Sequence, residues 1–238
     1  MSSSRSQNVL PARRKWFGLL RRKESWSLTW RGWLALLIVL SSGGIIGVRS
    51  VHNFLAVSAP VETRVLVLEG WVPRHAMTGY VARVFGDYDK IYTTGGPPPA
   101  DRGSRPETET FASVAQQRLV RAGVPTRMIQ HVPGWEVRRD RTYAAALALR
   151  QWAETNHVEL KDFNVVTVGP HARRSRLLYA RAFPAAKVGI IPLTNAEYDA
   201  EQWWRYSEGV KETLTEAGAY LYSRFCFGGV TGEIPNSK

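Results

Sequence analysis

Four short segments of the sequence carry glycine, arginine, carboxylate or imidazole groups, and each follows a predicted β-strand. Arginine donates paired hydrogen bonds to phosphate or carboxylate groups, and glycine lets the backbone approach a ligand closely. A histidine beside a carboxylate supplies a general acid–base pair. This combination predicts a site for an anionic ligand. The segments are Glu69-Gly70, Thr93-Thr94-Gly95-Gly96, Arg138-Arg139-Asp140-Arg141-Thr142 and Gly169-Pro170-His171-Ala172-Arg173-Arg174.

Each of these segments also has a purely structural explanation. Gly95-Gly96 fits an ordinary turn, and Asp140 fits the N-cap position of a helix. His171, at a helix start, is also suited to a local hydrogen bond. Arginines in a first helical turn are repelled by the helix dipole, so Arg173, Arg174 and Arg176 require an anion, an acidic partner or open solvent. The functional interpretation therefore depends on the four segments meeting in space.

The hydrophobic pattern between these segments alternates between short strand-like runs and longer helical runs. Strands are predicted at residues 64–69, 90–94, 128–132, 164–168 and 186–191, and helices at 75–85, 107–122, 140–154, 171–183 and 200–225. Such βαβ units predict a three-layer, doubly wound, mainly parallel α/β domain of the Rossmann-like class over residues 62–227. The carboxyl ends of parallel strands form one edge of the sheet, where such domains bind ligands.

The last predicted helix, over residues 200–225, has an apparent apolar face. Val210, Leu214, Ala217 and Leu221 recur at helical spacing, which favours a helix here.

The N-terminal part of the chain predicts a membrane anchor. Among residues 1–31 there are eight basic residues and one acidic residue, and the next seventeen residues carry no charge. We predict a transmembrane helix over residues 32–55 that contacts the lipid bilayer, after a cytoplasmic leader at 1–31. The small residues Val57-Ser58-Ala59 leave a cleaved signal peptide as the alternative. A linker at 58–62 and a loose tail at 228–238 are also expected.

Composition and missing motifs exclude several classes of protein. The single Cys226 excludes an intramolecular disulfide, and the five histidines show no metal-ligand spacing, so no metal site is predicted. There is no Gly-x-Gly-x-x-Gly, phosphate-loop lysine or Gly-x-Ser-x-Gly motif, and the sequence indicates no particular cofactor. Because much of the net charge of +12 lies in the leader, the basicity does not predict nucleic-acid binding.

The order of motifs resembles the SanA/YdcF/ElyC family of bacterial envelope proteins. The resemblance covers about residues 62–225 and rests on Val65-Leu66-Val67-Leu68-Glu69-Gly70, Thr93-Thr94-Gly95-Gly96, Glu107-Thr108-Glu109-Thr110-Phe111-Ala112, Gly123-Val124-Pro125, Asp140-Arg141-Thr142-Tyr143-Ala144-Ala145-Ala146 and Gly169-Pro170-His171-Ala172-Arg173-Arg174. It implies a YdcF-like doubly wound domain behind a membrane anchor, with roles in cell-envelope integrity and peptidoglycan or lipid-carrier metabolism. One branch of the family is reported to bind S-adenosylmethionine.

The resemblance also assigns site residues. It implies site roles for Gly95-Gly96, for Glu107 or Glu109, for Thr142 and for the pair His171 and Arg174. The helix after Thr142 carries Ala144-Ala145 where the family usually has Glu-Asn. This difference favours a binding role over a shared catalytic mechanism.

The leading hypothesis is a single-pass protein of the inner membrane whose extracytoplasmic domain acts in envelope biogenesis on a phosphate-bearing ligand. His171 is the predicted general acid/base, with Glu69 or Glu107 as the second acid/base. The alternatives are a non-catalytic envelope assembly module and an S-adenosylmethionine-binding protein. The residues predicted to bind the ligand are Gly95, Gly96, Arg141, Thr142, Arg173 and Arg174.

Overall fold

The computed structural model describes residues 28–98 and 109–228, in which helices and strands alternate along the chain. The α-helices are α1 (Trp30–Leu55), α2 (Arg74–Val84), α3 (Phe111–Arg121), α4 (Arg141–Thr155), α5 (Ala172–Ala182) and α6 (Ser207–Leu221). The strands are β1 (Val65–Glu69), β2 (Lys90–Gly95), β3 (Ile129–Pro133), β4 (Asp162–Val168) and β5 (Lys187–Leu193).

The five strands form one parallel sheet in the order β3-β2-β1-β4-β5. In the central register, Val67 of β1 pairs with Tyr92 of β2 on one side and with Val165 of β4 on the other. The chain winds outward from β1 to β3, then crosses back to β4 and continues to β5. The predicted doubly wound α/β fold is therefore confirmed, and its switch point lies between the carboxyl ends of β1 and β4.

Helices cover both faces of the sheet, which explains why the strands read as continuous apolar runs. Leu66 and Leu68 of β1 pack into one core cluster with Met77 of α2 and Leu119 of α3. Val67 points to the other face and packs with residues of α4 and α5. The alternation of side chains along β1 therefore supplies both core layers.

Two predicted helices have different bounds in the structure. The helix predicted at 107–122 begins at Phe111, because Thr110 caps it and forms a reciprocal capping box with Ser113. The helix predicted at 200–225 is divided into three elements in the structure. A 3₁₀ segment covers Ala200–Arg205 and is separated from α6 by Tyr206, whose backbone is extended. A π-helical turn at Tyr222–Cys226 follows α6.

The four apolar residues at helical spacing on α6 do not form its buried face: Val210 and Ala217 are half-buried, and the two leucines are exposed. Leu214 is 58% exposed and Leu221 is 54% exposed. The buried face carries Gly209 and Thr213 instead. At Gly209 a Cβ atom would collide with the carbonyl oxygen of Trp203. Close packing against the 3₁₀ segment therefore selects which face of the helix points inward.

The segment predicted as a linker is attached to the sheet. Ala59 forms an antiparallel bridge with Ile190 on the outer edge of β5. The side-chain amide of Asn164 accepts from the backbone N–H of Val61 at 2.8 Å and donates to its carbonyl at 3.0 Å. Residues 59–61 therefore belong to the domain and cover one edge of the sheet.

Helix α1 is long and apolar enough to cross a membrane, by length and composition. It has 26 residues and contains an 18-residue window of mean hydropathy 1.9. The chain divides at Gly43 into two compact units, so residues 44–55 of α1 belong to the unit that contains the sheet. In that unit, His52 and Leu55 are buried. The predicted leader and tail lie outside the described residues, apart from Leu28–Arg31 and Gly228.

Candidate functional site

A cavity of about 810 Å³ opens at the carboxyl edge of the sheet, next to the switch point between β1 and β4. We call it the edge cavity. Of the nine predicted site residues, the structure brings seven together along its wall. These are Glu69, Gly95, Gly96, Arg141, Thr142, His171 and Arg174. Glu107 lies outside the described residues, and Arg173 does not line this cavity.

His171 occupies the centre of the edge cavity. Strand β4 ends at Val168, and a 3₁₀ turn over Gly169–His171 leads directly into α5. Gly169 has a φ of +45°, a left-handed conformation that glycine adopts without strain. This tight turn directs the imidazole over the end of the sheet, where the residue is only 6% exposed.

The imidazole of His171 lies between two carboxylates. Its Nδ1 is 2.9 Å from Oε1 of Glu216, and its Nε2 is 3.5 Å from Oε2 of Glu69. Nε2 is also 3.4 Å from the hydroxyl of Thr142. The edge of the ring packs against Trp71, with 4.8 Å between ring centroids. Both nitrogens face polar partners, so the orientation of the ring is fixed from two sides.

Glu69 is a buried carboxylate, 3% exposed, held by three hydrogen-bond donors. The hydroxyls of Thr167 and Ser175 donate to it at 2.5 and 2.9 Å, and the indole N–H of Trp71 donates at 3.2 Å. A buried charge is tolerated when its oxygens are hydrogen-bonded in this way. Because its oxygens are engaged, Glu69 is better placed to position His171 than to exchange a proton with a ligand.

Glu216 belongs to α6 and was not among the predicted site residues. Arg174 donates to both of its oxygens, from Nε at 2.8 Å and from Nη2 at 3.0 Å. Burial alone would raise the pKa of Glu216, but hydrogen bonds and charge from His171 and Arg174 lower that pKa to about 2. The carboxylate therefore stays ionised, and the charge of Arg174 is largely neutralised within the protein.

Arg141 brings a positive charge to a cavity wall that also carries Asp140, Glu197 and Glu208. It is exposed, lines the edge cavity, and forms no ion pair with any of the described residues. It occupies the first position of α4, whose N-cap Asp140 has a φ of +53° and makes no side-chain capping hydrogen bond. Capping therefore does not explain Asp140. The Asp140 side chain does not cap the first N–H groups of α4, and Arg141 stands beside them.

Gly95, the last residue of β2, and Gly96, directly after it, are required by the local backbone and also line the edge cavity. Gly95 has a φ of +132°, and a Cβ atom on Gly96 would lie 2.6 Å from the carbonyl oxygen of Trp135. The close approach of these backbones requires glycine at both positions. The turn interpretation is therefore correct for this pair, and the same turn forms part of the cavity wall.

Arg173 and Arg176 point away from the edge cavity. Arg173 donates to the carbonyl of Phe54 in α1, and its guanidinium lies 3.8 Å from the centroid of the Phe54 ring. Arg176 donates to the carbonyl of Val188. The first turn of α5 therefore sends only Arg174 toward His171.

Sequence reasoning missed the contributions of three segments to the edge cavity. Glu216 comes from α6. The sequence feature that could have identified it is a carboxylate on the helix face opposite Leu214. Trp71 directly follows Glu69-Gly70, whereas Trp135 lies in the loop between β3 and α4. Among the described residues, no group of three His, Cys, Asp or Glu side chains is arranged to hold a metal ion.

Comparisons with known proteins add no assignment to this geometry. No family model, curated protein or solved structure matches the chain. The chemistry of the edge cavity is therefore argued from its own residues. An oriented imidazole can move a proton, and an unpaired arginine at a helix N-terminus can bind an anion.

Proposed function

We propose that this protein is a membrane-anchored, extracytoplasmic member of the SanA/YdcF/ElyC family that binds a phosphate-bearing precursor of the cell envelope in the edge cavity. The observation that carries the proposal is the position of Arg141. Its unpaired charge and the N-terminus of α4 share one cavity with the oriented imidazole of His171. Helix α1 holds the cavity beside the inner membrane, where such precursors occur.

The proposed ligand is bound by its anionic group. Arg141 and the first N–H groups of α4 contact phosphate oxygens, and the hydroxyl of Thr142 is a further donor. His171 donates a proton to the ligand, or accepts one from it, through Nε2. Arg174 does not contact the ligand in this proposal, because its Nε and Nη2 donate to Glu216. It positions Glu216, which in turn orients His171.

A non-catalytic envelope module is the second candidate, and a specific observation favours it. The two carboxylates beside His171 are both engaged, Glu69 by three donors and Glu216 by Arg174. A hydrolytic reaction needs a base to activate water, and neither carboxylate has a free oxygen suited to that task. Turnover therefore depends on His171 alone.

A binding and turnover assay separates these candidates. The full chain, purified in detergent, is titrated with polyprenyl phosphate and with phosphorylated sugars, and released phosphate is measured in parallel. Saturable binding with phosphate release that His171→Gln abolishes identifies an enzyme. Saturable binding without release identifies a module. Absence of binding to every phosphorylated compound refutes the proposal, as does binding that Arg141→Gln and His171→Ala leave unchanged.

The same preparation tests the remaining alternative. Calorimetric titration with S-adenosylmethionine that gives no heat of binding removes this alternative.

The proposed topology needs its own test. We propose a cytoplasmic N-terminus, because the basic residues precede the apolar stretch of α1. In spheroplasts, externally added protease should degrade the C-terminal domain and leave an N-terminal epitope tag intact. If the protease degraded only the tag, the orientation in the membrane would be the reverse of the one proposed.

A further inference from the structure

One side chain of the α/β domain contacts α1 at the level where its apolar stretch ends. Arg49 is the first charged residue after the seventeen uncharged residues. Its guanidinium lies 5.0 Å from the ring centroid of Trp204. Trp204 belongs to the 3₁₀ segment Ala200–Arg205. The next two residues, Arg205 and Tyr206, are exposed, Tyr206 to 43%. We call Trp204, Arg205 and Tyr206 the interfacial turn.

A second contact lies slightly farther along α1. Phe54 follows Arg49 by five residues, which places it about 7–8 Å farther along the helix axis. Its ring is 49% exposed and is covered by the guanidinium of Arg173. Arg173, which does not line the edge cavity, thus contacts α1 five residues beyond Arg49.

The depth of these residues follows from the dimensions of a bilayer. The hydrocarbon core is about 30 Å thick and the polar headgroup regions add about 5–8 Å on each side. If α1 crosses the bilayer, Arg49 marks the boundary between the two regions. Trp204 stacks on Arg49 and therefore lies at that boundary, and Phe54 lies near the outer limit of the headgroups.

We propose that the interfacial turn rests in the headgroup layer of the bilayer and that Arg49, Arg173 and Arg205 contact anionic lipid headgroups. This proposal rests on the proposed function in one respect, namely that α1 spans the membrane. Tryptophan and tyrosine are the side chains enriched at this depth. Arginine near an anionic surface adds favourable electrostatic free energy.

Charge and attachment favour a lipid surface over a protein partner. None of the three arginines forms an ion pair with the described residues; Arg205 donates only to the side chain of Gln202. The domain also has little freedom to move away. In the last turn of α1, His52 and Leu55 are buried, and Nε2 of His52 lies 3.2 Å from the hydroxyl of Tyr198, six residues before Trp204. The turn is therefore held at the level of Arg49.

The length of α6 sets an upper limit on the distance between the interfacial turn and the edge cavity. Helix α6 begins at Ser207, directly after the interfacial turn, and Glu216 in the cavity wall is nine residues farther on. Nine residues of α-helix span about 14 Å. The interfacial turn therefore holds His171, the partner of Glu216, within reach of a ligand whose other end remains in the membrane.

Fluorescence quenching in vesicles tests the proposal with the full chain. The exposed Cys226 is replaced by serine, and a fluorophore is attached at Arg205→Cys. The vesicles contain phosphatidylcholine and phosphatidylglycerol, with a nitroxide on a fraction of the headgroups. The control is a fluorophore at Arg127→Cys, an exposed position preceding β3 at the opposite edge of the sheet. A third label at Ile38→Cys, with a nitroxide in the middle of the acyl chains, reports whether α1 spans the bilayer.

We expect the label at residue 205 to lose most of its fluorescence and the label at residue 127 to retain it. The loss at residue 205 should become smaller when phosphatidylglycerol is omitted. Equal fluorescence at residues 205 and 127, with quenching at residue 38, overturns the proposal while α1 remains a membrane anchor. No quenching at residue 38 removes the anchor and, with it, this proposal.

Discussion

His171 and Glu216 are separated by 45 residues in the chain, yet Nδ1 of the imidazole lies 2.9 Å from the carboxylate. Arg174, one turn after His171, donates to both oxygens of the same carboxylate. Helix α6 is therefore part of the candidate site, because it supplies the group that orients the imidazole. Four predictions follow from this geometry and from the packing around it.

The first prediction concerns acid stability. The pKa of Glu216 is about 2 in the folded protein, against an ordinary value of 4.5. Its contribution to the free energy of unfolding is therefore complete above about pH 4.5 and is lost as the pH falls toward 2. We expect Glu216→Gln to lower the free energy of unfolding at neutral pH by about 3 kcal/mol, since Arg174 loses its partner. Urea unfolding at several pH values measures both effects.

The control for the first prediction is Glu159→Gln. Glu159 is 73% exposed and pairs with Lys161 at the surface, so its removal should cost less than about 1 kcal/mol. The difference in stability between wild type and Glu216→Gln should shrink below pH 4.5. A difference that stays constant down to pH 2.5 contradicts the assigned pKa.

The second prediction concerns the turn after β1. A Cβ atom on Gly70 would lie 2.9 Å from the carbonyl oxygen of Thr94 and closer still to the carbonyl of Phe111. Both neighbours are backbone atoms and have little room to move. We expect Gly70→Ala to lower the free energy of unfolding by about 2–3 kcal/mol. Thermal or urea unfolding measures the loss.

Gly79 supplies the matched control for the second prediction. It lies inside α2, and a Cβ atom there would meet nothing within 4 Å. Gly79→Ala should therefore raise the free energy of unfolding by about 0.5–1 kcal/mol, because alanine favours the helix. If Gly70→Ala and Gly79→Ala changed the free energy of unfolding equally, the backbone around Gly70 would not restrict the size of the side chain at that position.

The third prediction concerns ligand affinity. If Arg141 holds the phosphate group, Arg141→Gln should weaken binding by about 10-fold or more, since a charge-assisted hydrogen bond is lost. The affinity of the wild type should also fall with rising salt more steeply than that of the variant. Arg138→Gln is the matched control, because Arg138 is exposed three residues earlier and does not line the edge cavity. A larger effect from Arg138→Gln would assign the anion contact to the loop before α4.

The fourth prediction concerns the attachment of residues 59–61. The amide of Asn164 makes both of its hydrogen bonds with the backbone of Val61. It passes over Gly189, where a Cβ atom would collide with it. We expect Asn164→Ala to lower the free energy of unfolding by about 1–3 kcal/mol, since two backbone groups lose a partner. Hydrogen exchange at Val61 should accelerate more than exchange in β1.

Asn164→Asp is the more specific form of the fourth experiment. The aspartate side chain keeps the acceptor for the N–H of Val61 but loses the donor to its carbonyl. Its exchange rate at Val61 should therefore lie between those of wild type and Asn164→Ala. Unchanged exchange in both variants would mean that the bridge between Ala59 and Ile190 holds the segment by itself.

Local sequence patterns predicted the α/β fold and the edge of the sheet where the cavity lies. Apolar runs such as residues 64–69 have only one way to bury both faces, which is inside a sheet covered by helices. The turn at Gly169-Pro170 and the helix after it are equally local. The structure places these predicted residues along the wall of the edge cavity, at or after the ends of the strands: His171, Glu69, Arg141 and the pair Gly95-Gly96. That they share a cavity followed from the geometry of a parallel sheet.

Tertiary packing decided two features of the site that the sequence patterns did not predict. The first is that α6 supplies a residue to the edge cavity, and the second is that neighbouring arginines point in different directions. Leu214 and Leu221 lie at helical spacing but are exposed, whereas Gly209 packs closely against Trp203 and Glu216 points into the edge cavity. Arg173 and Arg174 are adjacent in sequence, yet one stacks on Phe54 and the other binds Glu216. Local spacing cannot separate them, since their partners come from α1 and α6.

The sequence by itself determined the strands, the helices and the chemical types present at the strand ends, because these depend on residues close together in the chain. Only the tertiary structure decided which charges remain available. Arg174 and Glu216 neutralise each other, Glu69 is held by its donors, and Arg141 is left unpaired at the edge cavity. The physical reason is that a charge is neutralised by whatever lies within a few ångströms of it, and folding brings those partners from distant segments.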